Sequence, residues 1–277
     1  MEMELGFYAN RIVMLYSIED ENMGVVRRLH EHVEPLVTLH KELTFETICV
    51  DTAADLFGTL SNLASSVKYK GIPLLHLDMH GDPIRGVKLL SGEYVPWIDL
   101  SKKLGTINFQ TGNRMAVISA ACAGMSVINP PRINDPAPFK CLFSCSENIT
   151  LGDIQDDLFT FYTKLLADSD LKGAIESLSR AFSDFWPEKA LFHIIRESIF
   201  RYEGRAGSHA REATLSYVLN NLPDRLSIEK KMIRGKLKKY SDDFDDNALK
   251  RLTHEFLCGQ SPFFDVRELK DAKYANY

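Results

Sequence analysis

Two stretches of the chain decide its fold: residues 74–81, Leu-Leu-His-Leu-Asp-Met-His-Gly, and residues 115–124, Met-Ala-Val-Ile-Ser-Ala-Ala-Cys-Ala-Gly. Each begins with an apolar run long enough for a buried strand and ends with a reactive side chain close to a glycine. The reactive residue is His80 in the first stretch and Cys122 in the second. Because parallel strands end at the same edge of a sheet, we expect the imidazole and the thiol to lie close together. This pair is the minimum equipment of a cysteine nucleophile with its base.

The segments around these two stretches alternate between strand and helix patterns, which predicts parallel strands under crossover helices. The predicted strands are Ile12–Tyr16, Phe45–Val50, Ile72–Leu77, Arg114–Ala120 and Phe139–Cys145. A hairpin is expected after His80, turning at Ser91 and Gly92. The predicted helices are 24–40, 53–67, a short one at 97–104, one that begins at Asp153, and one at 171–185. We therefore predict an α/β fold with a mostly parallel central sheet flanked by helices.

The pattern changes at Pro187, after which helical periodicity continues without a strand pattern. Helices are predicted at 191–202, 210–221, 228–240 and 247–257. We therefore expect two parts: residues 1–186, which hold the sheet, and residues 187–277, an all-helical C-terminal extension.

Composition excludes several classes of protein. Hydrophobic residues make up 45% and charged residues 26% of the 277 positions, which is ordinary for a globular protein. No apolar run approaches the roughly 20 residues that span a membrane, and the acidic N-terminus lacks a signal peptide's basic start. Five cysteines, an odd number, indicate a reducing compartment, so we expect a cytoplasmic protein. Residues 1–186 carry 24 acidic against 16 basic side chains, which disfavours binding of nucleic acid.

The chemistry expected of the pair explains the residue types. A thiol with an ordinary pKa is mostly protonated at neutral pH, so it needs a base or a positive neighbour. His80 would take the proton of Cys122 and later return it to a leaving amine. The backbone N–H groups of Gly81 and Cys122 would then point at the developing oxyanion.

The motifs His80-Gly81 and Ala121-Cys122-Ala123-Gly124, each ending a strand, resemble the caspase-like cysteine peptidases, particularly their bacterial branch called CHAT. The likeness extends through residues 139–179 and covers roughly residues 10–182. It implies a caspase-like sandwich fold and peptidase activity without a metal or cofactor. Three positions depart from the family pattern: Met79 stands where glycine is frequent, Ala120 stands where caspases proper have glutamine, and Ala123 follows the cysteine in place of Arg, Gln or Gly.

The resemblance also implies where a substrate pocket would lie. The matching positions hold Arg85 in the loop after the histidine, Ser119 and Ala120 before the cysteine, and Ser146 and Glu147 after the next strand. Arg85 would pair with an acidic substrate side chain, whereas Glu147 or Asp153 would pair with a basic one. Ala120 is small and neutral, so the charge preference stays open.

Other polar residues near the pair have competing interpretations. Asp78 and Asp82 flank the histidine and either orient the imidazole or are solvated loop carboxylates. His76 and His80 are four residues apart, which on a strand is roughly 13 Å, too far for a shared metal. Cys141 and Cys145 face one way on a strand and are interpreted as core residues.

The expected function is that of a cysteine endopeptidase acting on protein or peptide substrates, with neither nucleic acid nor membrane as partner. Bacterial relatives of this kind often serve as regulated effectors of antiviral defence. We therefore expect the extension to sense a small nucleotide or a partner protein. A basic run in it is either a phosphate-binding surface or a solvated helix face: Lys230, Lys231, Arg234, Lys236, Lys238 and Lys239. The alternative is a catalytically inactive scaffold or ligand-binding module, and a homo-oligomer stays open.

Overall fold

The computed structural model describes residues 6–19, 23–128, 135–145, 151–178, 182–200 and 244–271. Its first half alternates strands and helices: β1 (Arg11–Ser17), α1 (Met23–Val37), β2 (Thr44–Cys49), α2 (Ala53–Lys70), β3 (Pro73–Asp82), β4 (Gly86–Lys88), β5 (Tyr94–Val95) and α3 (Trp97–Gln110). There follow β6 (Ala116–Ser119), a 3₁₀ turn (Gly124–Ile128), β7 (Cys141–Ser144), α4 (Leu151–Tyr162), a π-helical turn (Thr163–Ala167), α5 (Leu171–Ser177), β8 (Ser183–Phe185) and α6 (Pro187–Phe200). Helices α7 (Asp246–Thr253) and α8 (Val266–Asp271) come last.

A mostly parallel sheet forms the centre of the fold, which confirms the predicted α/β class. The strand order is β2-β1-β3-β6-β7-β8, and β4 and β5 extend from β3 as an antiparallel hairpin. Strands β2, β1, β3, β6 and β7 pair in parallel, and β8 runs antiparallel to β7. The carboxyl ends of the parallel strands therefore meet at one edge, as the sequence predicts.

The central strands β1, β3, β6 and β7 are buried along most of their length, and most of their residues are apolar, as expected of parallel strands covered on both faces. Ile12 and Met14 of β1 pack on the side of α1 and α4, whereas Val13 and Leu15 pack on the side of α2 and α3. All four side chains are at most 1% exposed. This two-sided core fixes the register of the strands and hence the position of their ends.

Two elements are longer than their apolar patterns indicate. Strand β3 continues past Leu77 to Asp82, because its last residues pair with β4 in the hairpin. Helix α3 runs to Gln110, beyond the predicted end at residue 104. His80 is consequently held by strand pairing and directly faces Lys88 of β4.

The helix predicted at 171–185 is wrong in its second half. Helix α5 ends at Ser177, and Ser183–Phe185 forms an edge strand instead. Backbone pairing with Leu142–Ser144 of β7 stabilises this strand. Ser183 and Asp184 are exposed, so β8 carries no alternating apolar signature.

The chain divides into two compact units. One comprises Met1–Pro187 with Glu255–Gln260, and the other comprises Glu188–His254 with Ser261–Tyr277. Within the second unit, Phe192 makes ring contacts with Phe263 and Phe264. The helices predicted at 210–221 and 228–240, with their basic run, lie outside the described residues, so the all-helical extension stays a prediction.

Candidate active site

The two predicted reactive residues follow a pair of adjacent strands. Strands β3 and β6 pair in parallel, with Leu77 opposite Ser119. The N–H of Ala120 donates to the carbonyl of Leu77 at 2.9 Å, so the pairing continues one residue beyond β6. His80 and Cys122 each lie three positions past the Leu77–Ser119 pair. Both residues therefore sit at the same edge of the sheet.

Close packing of Gly81 against Cys122 brings the two chain segments together. A Cβ atom built on Gly81 would lie 1.9 Å from the carbonyl oxygen of Cys122 and 3.3 Å from the Cβ of Ala121. No side chain fits in that space. The glycine after the histidine is thus required by contact with the cysteine backbone, whereas its sequence position alone suggests a sharp turn.

The chain turns sharply immediately after the cysteine. Ala123 has a positive φ of 54°, which is sterically costly for a residue with a side chain. The Gly124 N–H donates to the Ala121 carbonyl at 3.0 Å and starts the 3₁₀ turn. A Cβ on Gly124 would lie 2.2 Å from Ser144 Oγ and 2.6 Å from Ser119 Oγ. Cys122, which stands three residues past the end of β6 and directly before this tight turn, is partly exposed.

The imidazole of His80 has a carboxylate partner, Glu19. Its Nε2 lies 2.7 Å from Glu19 Oε2, and Lys88 Nζ donates to Glu19 Oε1 at 3.0 Å. The Lys88 ammonium, the backbone and His80 together lower the pKa of the Glu19 carboxyl to about 2. Glu19 is therefore ionised at any pH at which the protein would work.

The two aspartates that flank His80 in sequence differ in their surroundings. Asp82 Oδ1 accepts the N–H groups of Ile84 and Arg85, at 2.9 and 2.8 Å, and these bonds lower its pKa. Asp82 thereby shapes the tip of the β3–β4 hairpin. Burial raises the pKa of Asp78 to about 6, partly offset by His80. Within the described residues, the carboxylate bonded to the imidazole is that of Glu19.

The predicted pocket residues fall in different surroundings. Arg85 is exposed, and its guanidinium lies 3.5 Å from the centre of the Tyr94 ring. Ser119 is 3% exposed and lies beneath the turn that follows the cysteine. Ala120 is 9% exposed and packs on the α1–α4 side of the sheet. Ser146 and Glu147 lie outside the described residues, so the full pocket stays a prediction.

The remaining polar candidates are part of the core. His76 is fully buried, its Nδ1 lies 2.9 Å from the Tyr162 hydroxyl, and burial lowers its pKa to about 3. Cys141 and Cys145 are also fully buried. Burial, with nearby Cys122 as the next cause, raises the pKa of Cys145 to about 12. In the described segments, no three His, Cys, Asp or Glu side chains are arranged to hold a metal ion.

Sequence reasoning missed Glu19 because its partners are distant in the chain. It lies 61 positions before His80 and 69 before Lys88. One signal was available: Glu19 follows a predicted strand by only a few residues. In a parallel sheet, a polar residue in that position reaches the same edge as His80.

Comparison with known proteins gives a likeness among solved structures and none among families or curated proteins. No protein-family model matches the chain, and no curated protein matches it. Among solved structures, it is similar to a secreted C11 cysteine protease from Bacteroides thetaiotaomicron, called iotapain. The sequence identity is 12%, the TM-score is 0.46, and the match covers 88% of this chain and 85% of that one. None of the helices in the described part of the chain has the length and apolar character needed to cross a bilayer.

Proposed function

We propose that this chain is a cysteine endopeptidase of the caspase-like type, with Cys122 as nucleophile and His80 as general base. The observation that carries the proposal is the contact between the two strand ends, in which Gly81 packs directly against the backbone of Cys122. This contact sets an imidazole and a partly exposed thiol at one sheet edge. Such a pair is the equipment of covalent acyl transfer.

The proposed reaction has two halves. His80 takes the thiol proton as Cys122 Sγ attacks the peptide carbonyl, and the N–H groups of Gly81 and Cys122 stabilise the oxyanion. The tetrahedral intermediate collapses, the C–N bond breaks, and His80 returns the proton to the leaving amine. Water, deprotonated by His80, then attacks the thioester and releases the acid and the thiol.

Cleavage of a protein mixture by Cys122→Ala and His80→Ala variants tests the proposal. Both should lose cleavage by at least about a thousandfold, since each removes an essential group. Cys49→Ser is the matched control because Cys49 is exposed and bonded to Asp51, outside the pair. Cleavage retained in both Cys122→Ala and His80→Ala would end the proposal.

A thiol-reactive peptide probe separates an active enzyme from an inactive caspase-like scaffold. The probe should label Cys122 in the parent protein and lose that labelling in His80→Ala. A scaffold would show no selective labelling at Cys122.

The proposal extends to regulation, in that residues 187–277 sense a small nucleotide or a partner protein in a bacterial antiviral response. The basic run at residues 230–239 is its only sequence support. Proteome-wide cleavage profiling with and without candidate nucleotides tests it. Identical cleavage in both conditions would remove the nucleotide from the proposal.

A further inference from the structure

We infer that Glu19 is a positioning residue for His80 and that Lys88 in turn orients Glu19. The site then works as a Cys122–His80–Glu19 triad, and Lys88 fixes the orientation of the Glu19 carboxylate. This inference rests on the proposed function of the same site. The family resemblance implies a dyad, whereas the geometry places a carboxylate 2.7 Å from the imidazole.

Glu19 is presented by an anchored segment. Ser17 Oγ donates to the Val50 carbonyl at 2.6 Å and accepts the Leu90 N–H at 2.9 Å. Ile18 is 7% exposed and belongs to the core on the α1–α4 side. The two residues before Glu19 are thus fixed to three parts of the fold. A carboxylate held in this way has a defined direction, unlike the end of a free surface side chain.

Lys88 completes the arrangement. It stands directly opposite His80 in the β3–β4 hairpin and holds Glu19 Oε1 at 3.0 Å, while Oε2 faces the imidazole. The two contacts use different oxygens of one carboxylate. Lys88 therefore does not compete with His80 but selects the rotamer in which Oε2 meets Nε2.

The contact assigns the two nitrogens of the imidazole. A carboxylate accepts only, so it holds the hydrogen on Nε2 of His80. The lone pair of Nδ1 is then the one that accepts the thiol proton. After transfer, the imidazolium keeps its bond to the Glu19 carboxylate, whose negative charge stabilises the protonated ring.

Alkylation of Cys122 by iodoacetamide, followed by peptide mapping between pH 5 and 9, measures this effect without a substrate. In a Cys49→Ser background, Glu19→Gln should alkylate about tenfold more slowly than the parent near pH 6.5, because the imidazolium loses its counter-charge. Lys88→Met should slow alkylation about threefold. The double variant should match Glu19→Gln alone, since Lys88 acts through Glu19.

Glu31→Gln is the matched control, because Glu31 pairs with Arg27 on an exposed helix face. It should leave the rate unchanged. The inference is overturned if Glu19→Gln is alkylated at Cys122 and cleaves casein at the parent rates. It is also overturned if this variant differs from the parent only in its melting temperature. If Glu19→Gln folds poorly, Glu19→Asp replaces it as the test variant. Glu19→Asp keeps the negative charge but places the carboxylate one methylene farther from His80. A parent protein that alkylates no faster than His80→Ala is a different result, because it rejects the proposed function itself.

Discussion

At the scale of single residues, the site depends on backbone space as much as on reactive groups. Gly81→Ala should reduce peptidase activity at least about a hundredfold, because displacing a reacting group by roughly 1 Å has that effect. The added methyl would meet the Cys122 carbonyl oxygen at 1.9 Å, so the strand ends must separate. Initial rates on casein measure the loss.

Gly58→Ala is the control for that substitution. Gly58 lies inside α2, where an added Cβ meets nothing within 4 Å. The free energy of unfolding should rise by about 0.5–1 kcal/mol, because alanine favours helix, and activity should stay unchanged. Equal activity of the Gly81→Ala and Gly58→Ala proteins would mean that the strand-end contact is not needed.

A second residue-scale prediction concerns Asp78, whose pKa burial raises to about 6. In the unfolded chain this carboxyl ionises near its ordinary value of 3.8, so between the two values the folded state binds more protons. The stabilising contribution of Asp78 is complete below about pH 4 and is lost as the pH rises through 6. Asp78→Asn removes that loss.

The free energy of unfolding of Asp78→Asn should therefore exceed that of the parent by about 3 kcal/mol at pH 7.5, because raising the pKa from 3.8 to about 6 costs about 1.4 kcal/mol for each pH unit between the two values. The difference should vanish near pH 4. Urea unfolding at the two pH values measures it. Asp156→Asn, at an exposed position of α4, should change stability little at either pH. A difference for Asp78→Asn that persists at pH 4 would contradict the linkage.

At the scale of elements, the buried guanidinium of Arg11 connects three of them near the start of β1, and its ion-pair partner Glu46 is partly exposed. Arg11 is 4% exposed, and its guanidinium donates to Glu46 of β2 and to Ser66 Oγ of α2. Glu46→Gln should lower the free energy of unfolding by about 2 kcal/mol, because the buried guanidinium loses its counter-charge. Iodoacetamide labelling of Cys122 should stay parental, since the pair lies at the opposite edge of the sheet.

The comparison for that variant is again an exposed pair. Arg27 and Glu31 are 73% and 63% exposed, so Glu31→Gln should change stability by less than about 0.5 kcal/mol. Urea unfolding of both variants decides between them. If the Glu46→Gln protein is as stable as the Glu31→Gln protein, the negative charge of Glu46 is not needed to keep the Arg11 guanidinium buried.

Elements with a strong apolar pattern were predictable, and those defined by long-range pairing were not. Strands β1, β3, β6 and β7 each carry a buried run, and helices α1 and α2 each carry an apolar face. Strand β8 has three residues and is held by the backbone of β7, so no local signal marks it. The same holds within the site: strand ends indicate His80 and Cys122, whereas the bonds of Glu19 to His80 and Lys88 follow only from the pairing of β3 with β1 and β4.

At the scale of the whole molecule, the first compact unit includes a segment from far along the chain. Residues 255–260 belong to it, and Phe256, Leu257 and Cys258 are at most 8% exposed. The Ala137 N–H donates to the Phe256 carbonyl at 2.9 Å. A truncation after Pro187 therefore removes part of the unit that holds the candidate site, and a test of the extension's role must keep residues 255–260.

Phe256→Ala in the full chain tests this directly. It should lower the free energy of unfolding of the first unit by about 3 kcal/mol, because a buried ring is lost and a cavity remains. The readout is the temperature at which the buried Cys145 becomes open to alkylation, since Cys145 lies in the core of that unit. Phe263→Ala makes the same change in the second unit, where the ring is 37% exposed, and should leave that temperature unchanged.

A protein truncated after Pro187 should expose Cys145 at a temperature no higher than Phe256→Ala does. Parental protection of Cys145 in the truncated protein would show that the first unit folds without the late segment.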